Sequence, residues 1–524
     1  MKTIRINFSK GIQFPPKLGT LILKPTGEGK AAYAQNVDIS NDEYGNSCVV
    51  PGPALTTIGS NSELTGVPFI RVFYGDNIVP YGYLYFGQGI LGTQTVIRRI
   101  KDIISGSTPV IDTTGSITAS HSGHANPVLV DMVFRPTAGT TSGESIYVAG
   151  KDDTDTWVQK FTAGTASPSL SAIAANTNFT GSYVNQFMVF SSFDNNIYWI
   201  GKNRVDSIDV SDVHTVNKLA LGLPVGAYAT CGADWQQQLV VAFSNEAFGD
   251  FTRRKSGGKA GVVLWDYVSP GIIRNIPAPC RYISALVNAP DGSLLAFGGV
   301  DEGKSSIYSF TGYGFQLITQ YIGDMPRSRH SVEFDGQGRI VWQTADGQIC
   351  RYDRTSGVFE HLGSITTGSS AGGLLAKMVG SPTGNEFVAA SGSGSTYTAK
   401  KVQFGSYIGD DAGSDGITTP LVVSGIEVLP QGSNIQAISL HLAKSLQSGE
   451  KVELRIYPNG STSYTTYLTM SYNIDGSVSS KREALTLPDI NSFSLAVAWK
   501  MTDGSSTVPP VMSADVELES QYGN

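Results

Sequence analysis

The dominant pattern along the chain is a short apolar run, continuous or alternating at period two, that stops at a cluster of Gly, Asp, Asn or Ser. Leu294-Leu295-Ala296-Phe297 and Ser306-Ile307-Tyr308-Ser309-Phe310 are examples, with Thr311-Gly312-Tyr313-Gly314 closing the second. Alternation places successive side chains on opposite faces of a pleated strand, and the polar clusters supply turns. Long patterns of helical period are nearly absent. The prediction is an all-β chain with many turns.

The runs recur. The segments "NAPDGSLLAFGG", "EFDGQGRIVWQT" and "GSPTGNEFVAAS" align on Gly292, Gly338 and Gly384, 46 residues apart twice over. Each glycine follows one strand pattern and precedes a second; a third ("SIYSF", "QICRY", "TYTAKKV") comes next, and often a fourth ("FQLITQYIG", "VFEHLGS"). Weaker copies place turns at Gly82, Gly143, Asn195 and Gln237, making seven in all with spacings of 42 to 61 residues. Four strands per unit at this period predicts a seven-bladed β-propeller over residues 51–408. Each unit buries both sheet faces only when stacked between neighbours. The seventh unit lacks a fourth strand in chain order. "PALTTIG", just before the first unit, has the pattern of the missing one. Residues 54–58 are therefore expected to pair antiparallel with residues near 396–404 and close the ring.

Beyond the linker "GSYIGDDAGSDGITTP", about seven strand patterns of another style predict a separate β-sandwich over 417–524. Residues 1–50 are expected to form an N-terminal arm that orders against a partner.

Composition narrows the function classes. With 15% charged and 40% hydrophobic residues, the chain of 524 residues has the makeup of a folded protein. A net charge of −7 disfavours a dedicated nucleic-acid binder, which needs clustered cations. Cys48, Cys231, Cys280 and Cys350 follow no metal-ligand spacing and read as reduced core residues. "MKTIRINFSKGIQFPPK" lacks the continuous apolar core of a signal peptide, and no run has the length of a membrane span.

Several motifs carry candidate chemistry. "FGGVDEGKSSIYSF" matches the phosphate-binding loop G-x-x-x-x-G-K-[ST] at Gly298, Gly303, Lys304 and Ser305. That loop requires a helix immediately behind it. Ser306–Phe310 reads as a strand, so a hairpin without nucleotide is expected. "SVEFDGQGRIVW" approaches a glycosidase box, but Asp335 to Gly338 has one residue too many. His121 and His124 lack further zinc ligands. Asp152, Asp153 and Asp155, and Asp410, Asp411 and Asp415, match no calcium loop in full. Trp199, Trp265 and Trp342 are expected to pack between sheets. No catalytic, cofactor-binding or metal site is assigned, and an enzyme is not expected. The insertion "FTRRKSGGK", with Arg253, Arg254, Lys255 and Lys259, is the first choice for an assembly contact.

"AAYAQNVDISNDEYGNSCVVPGPALTTIG" resembles the N-terminal stretch of β-propeller structural proteins of tailed bacteriophages, where a variant of A-Q-N-V-D-I leads into the first blade. "TTPLVVSGIEVLPQGSNIQAISLHL" through "VELRIYPNG" resembles the sandwich that follows the propeller in such proteins. The resemblance implies a virion protein of the tail or head–tail junction, assembled in the host cytoplasm. Its partners would be other virion proteins and its own copies in a ring, with no specific nucleic acid and no cofactor. A receptor- or glycan-binding propeller at the tail tip is the alternative. A propeller hydrolase lacks its site.

Overall fold

The computed structural model describes all residues except 1, 8–30, 36, 42–46, 53, 62–69, 75–82, 88–95, 105, 108, 119–127, 137–144, 152–154, 164–169, 177–185, 247–258, 302, 366–370, 379–383, 394–395, 405–420, 432, 488–489, 501–508 and 521–524. The described part is almost wholly β: seven four-stranded antiparallel sheets and two six-stranded ones.

The seven sheets follow one another in a closed, propeller-like circuit. Their first strands are Ile70–Tyr74, Val128–Arg135, Gln186–Phe190, Tyr228–Trp235, Tyr282–Asn288, Val332–Phe334 and Ala371–Lys377. Each lies against the next, the sixth through the 3-10 turn Arg329–Ser331, and the seventh returns to the first. An apolar cluster fills every gap between neighbours. Trp199 sits between the second and third sheets, Trp265 between the third and fourth, and Trp342 between the fifth and sixth. The gap between seventh and first holds Leu374, Val388, Leu84 and Ile100. Both faces of each sheet are thus buried, which explains strands that read as near-continuous apolar runs. Gly372 shows how close the sheets come: a Cβ there would lie 1.8 Å from the Thr344 carbonyl oxygen.

The seventh sheet is completed from the other end of the chain. Strand Ala54–Asn61 pairs antiparallel with Thr396–Gln403, from Ala54↔Gln403 to Asn61↔Tyr397. Leu55 and Val402 are buried in the cluster shared with the sixth sheet. Side chains tie the seventh sheet to the first: Lys401 Nζ, paired with Glu386 at 2.8 Å, donates to the Ser107 carbonyl at 3.0 Å. The Gly106 amide donates to Glu386 Oε2 at 3.1 Å.

Outer strands would be open edges. In six of the seven sheets the pairing of third with outer strand carries a register shift. Such bulges twist an edge away from further pairing. The fourth sheet's outer strand, Arg274–Pro277, has no shift but is only four residues long, with an Arg and a Pro.

The two six-stranded sheets hold the C-terminal strands. One runs Val37–Asn41, Ser47–Pro51, Val511–Ser520, Ser433–Leu442, Ser480–Leu487, with Lys2–Ile6 also on Val511–Ser520. The other runs Ala31–Gln35, Leu421–Ser424, Ser492–Trp499, Lys451–Pro458, Thr465–Ser471, with Glu427–Val428 also on Ser492–Trp499. Ile6, Val49, Leu440 and Val516 of the first share one core with Val422, Leu454, Val497 and Trp499 of the second.

This corrects the expectation of a separate arm over 1–50. The four described strands before residue 52 pair within the same chain, with Lys2–Ile6 in register from Lys2↔Leu518 to Ile6↔Ala514. The cause is long-range: a strand with one apolar face gains little until the matching edge arrives, here about 500 residues later. Ala31–Gln35 and Val37–Asn41 also lie against Phe359–Ser364, the sixth sheet's outer strand, which is buried along almost its whole length.

Candidate functional site

The innermost strands converge on one charged cluster. Asp131, on the second sheet's first strand, is 3% exposed. His330 Nε2 lies 2.7 Å from its Oδ1, and Arg329 donates to Oδ2 at 2.9 Å. The Met132 amide donates to Oδ1 at 2.9 Å and the Met188 amide to Oδ2 at 2.7 Å. Three sheets, the second, third and sixth, therefore meet on one carboxylate. Burial would raise this carboxyl, but Arg329, His330 and the Met188 amide outweigh it and hold it below the usual range. The strand places Asp131 here through a bulge: the register slips between Leu129 and Asp131, as it does between Ala229 and Cys231 and between Ile283 and Ala285. The equivalent residues Cys231 and Ala285 are small and uncharged. Beside the cluster lies a cavity of about 330 Å³ lined by Met132, Phe134, Val287, Arg329, His330 and Phe334, among others. The arrangement is an ion cluster in which one buried carboxylate is held by Arg329, His330 and two backbone amides.

A second set of groups gathers at one end of the third and fourth sheets. In an antiparallel four-stranded sheet, the turns between strands 1–2 and 3–4 lie at the same end. Asp234 accepts from the Ser192 amide at 2.9 Å, its hydroxyl at 2.7 Å, and the Tyr267 hydroxyl at 2.7 Å. Phe193 stacks on Tyr267, 6.1 Å between ring centres. Tyr267 holds φ at 65°, a strained conformation for an aromatic residue. Burial first, then the bond to Asp234, pushes its hydroxyl pKa up. At the same end Asp212 is held by Lys160, Arg135 and the Tyr147 hydroxyl of the second sheet.

The sequence candidates fall as follows. Gly298 to Phe310 forms a hairpin: Leu294–Asp301 pairs with Lys304–Phe310, and strand stands where a phosphate loop requires helix. Ser305 Oγ donates to the Gly323 carbonyl at 2.8 Å. Asp335 caps its own turn, accepting from the Gln337 and Arg339 amides at 2.9 Å each. The four cysteines are buried and not joined in disulfides, and burial pushes the Cys231 and Cys280 thiols up to about 12. Arg253, Arg254 and Lys255 lie outside the described residues, as do His121, His124, Asp152, Asp153, Asp410, Asp411 and Asp415. Lys259 is described and exposed, its amide donating to Asn245 Oδ1 at 3.0 Å. Among the described residues no three His, Cys, Asp or Glu side chains are grouped to hold a metal, and no helix is long and apolar enough to cross a membrane.

Sequence reasoning missed Asp131, Arg329 and His330. The available signal was an Asp in "VLVDMVF", an apolar run whose counterparts carry no charge at that point.

No family model matches the chain, and no curated protein matches it. Among solved structures it is similar to Raptor of Chaetomium thermophilum at 12% identity and a TM-score of 0.44, over 66% of this chain and 28% of that one. The chain thus spans under a third of that protein's length, and a likeness this slight carries no argument.

Proposed function

We propose that the chain is a seven-bladed β-propeller closed by its strand at 54–61, joined to a β-sandwich that the N-terminal strands complete, and that it serves as a structural component of a bacteriophage virion, in the tail or at the head–tail junction. It acts by protein–protein assembly and without chemistry. The observation that carries the assembly role is the distribution of exposed apolar side chains. Val210 (65% exposed), Val268 (75%) and Tyr313 (80%) stand on the turns between third and fourth strands of three successive sheets. Large apolar groups repeated on one end of neighbouring units mark a contact surface. The axis, where a propeller enzyme would gather reacting groups, instead holds a carboxylate saturated by its own chain. The phage assignment rests on the resemblance of residues 31–59 and 418–460.

The test is the particle. Purified virions of a phage encoding this chain should contain it at a fixed copy number, and electron microscopy should locate it in the tail or neck. Particles that are complete and infectious without it would overturn the proposal.

A further inference from the structure

We infer that one end of the third and fourth sheets docks a second copy of this chain, through that copy's insertion at 247–259. The inference rests on the assembly reading above and specifies its contact.

Four exposed apolar residues mark the surface: Phe193 (48%), Val210 (65%), Val213 (56%) and Val268 (75%). Asp194, Asp209 and Asp266 lie among them on the same turns. None of the three has a cationic partner among the described residues, whereas Asp212 nearby is neutralised by Lys160 and Arg135. Their carboxylates accept from turn amides: Asp209 from Ser211 and Val213, each at 2.8 Å, and Asp266 from Ser269 at 2.7 Å. The turns are therefore held in one shape, and their negative charge is left for a partner. A fitting partner presents an apolar group with several cations.

The chain itself contains such a segment. "AFGDFTRRKSGGK", residues 247–259, has two Phe, two Arg and two Lys against one Asp. It joins the second strand of the fourth sheet, Gln238–Ser244, to the third, Ala260–Trp265, and so leaves from the opposite end of that sheet. The seven-residue strand separates the two ends by roughly 23 Å. A segment leaving one end meets the other end most directly on a neighbour. The contact is head-to-tail, between two different surfaces of the same chain, and repeats from copy to copy. Opposite charges on the two surfaces set its direction.

Sedimentation velocity on the purified full chain tests this with two variants, one on each surface. One variant carries Val210→Lys and Val268→Lys, both at exposed positions. The other carries Arg253→Glu, Arg254→Glu and Lys255→Glu. Wild type should self-associate, less so at high salt. Each variant alone should associate at least tenfold more weakly: the first loses apolar contacts and two of its three net negative charges, and the second carries negative charge on both surfaces. An equimolar mixture should recover association as pairs, because the second variant's unaltered turns still take the first variant's unaltered insertion. Phe193→Lys with Val213→Lys replaces the first variant if its melting temperature falls. A wild type that stays monomeric, variants that associate as wild type does, or a mixture that stays monomeric would each overturn the contact. If the chain is monomeric yet present in virions, this contact fails and the virion assignment stands; association by a chain absent from virions gives the converse.

Discussion

Asn195, Gln237, Gly292, Gly338 and Gly384, aligned as turn positions by sequence, all have left-handed φ, between 59° and 81°. Gly82 and Gly143 lie outside the described residues. Gln236 and Gln237 have φ of 49° and 59° in the two-residue turn between Trp235 and Gln238. Such a turn favours Asn-Gly, since glycine has no Cβ to strain there. Gln236→Asn with Gln237→Gly should stabilise the chain by about 1 kcal/mol, read as a raised denaturant midpoint at unchanged slope. Asp131 gives a prediction in the other direction. Its carboxyl is held low in the fold, so its contribution is complete above the unfolded value near pH 4 and is lost as pH falls through the folded value. Asp131→Asn should cost about 3–5 kcal/mol at neutral pH, because the Arg329 guanidinium loses its buried partner and His330 and two backbone amides lose a charged acceptor. Denaturation curves should show the gap from wild type narrowing below about pH 4; a gap constant with pH would refute the ionic role.

Among the elements, Ala54–Asn61 has the longest reach. It was legible because its pattern matched the fourth strands of other units while the seventh unit had none. Leu55 is 6% exposed and packs with Val402, Phe404 and Phe387. Leu55→Ala should cost about 2–4 kcal/mol. Deleting residues 1–61 should do more. It bares the edge of Thr396–Gln403 and opens the seam between seventh and first sheets, so the melting temperature should fall further than in Leu55→Ala. A truncated chain that melts as wild type does would show that the strand is dispensable. The outer-strand bulges were not legible, because a bulge adds one residue to a run without changing its composition.

Across the whole molecule, the outer strand of the sixth sheet is set apart by what covers it. The outer strand of the fifth sheet, Phe315–Ile322, leaves Leu317 55% exposed; Phe359–Ser364 lies under the strands at 31–41. Beneath that cover Arg351 and Glu360 pair in bidentate fashion, at 2.5 and 2.8 Å, with 1% and 3% of their side chains exposed. Arg351 also lies over the Phe404 ring at 4.8 Å. Two desolvated charges repay little unless both are present. Glu360→Leu or Arg351→Met alone should cost about 3–5 kcal/mol, and the two together should recover most of that. Calorimetry on the two single variants and the double checks this; additive losses would mean the pair is not coupled.

What the sequence by itself determined was local. Short apolar runs decide that a segment is a strand: they alternate where one face is buried and are near-continuous where both are, as in Ile197–Gly201. Turn residues decide where it stops, and their spacing of 42 to 61 residues sets the size of each unit. That is why the hairpin at Gly298–Phe310 and the packing role of Trp199, Trp265 and Trp342 could be read without coordinates. Only the tertiary structure decided which distant groups meet. Asp131 and His330 are 199 residues apart and share no pattern; the closed circuit brings their strands together at its centre. Lys2–Ile6 alternates like any edge strand, and its partner, Val511–Ser520, is fixed by where the last sheet leaves an edge free. Local alternation records which face of a segment is buried. It carries no information on which other segment does the burying, because any apolar face of the right length satisfies the same pattern.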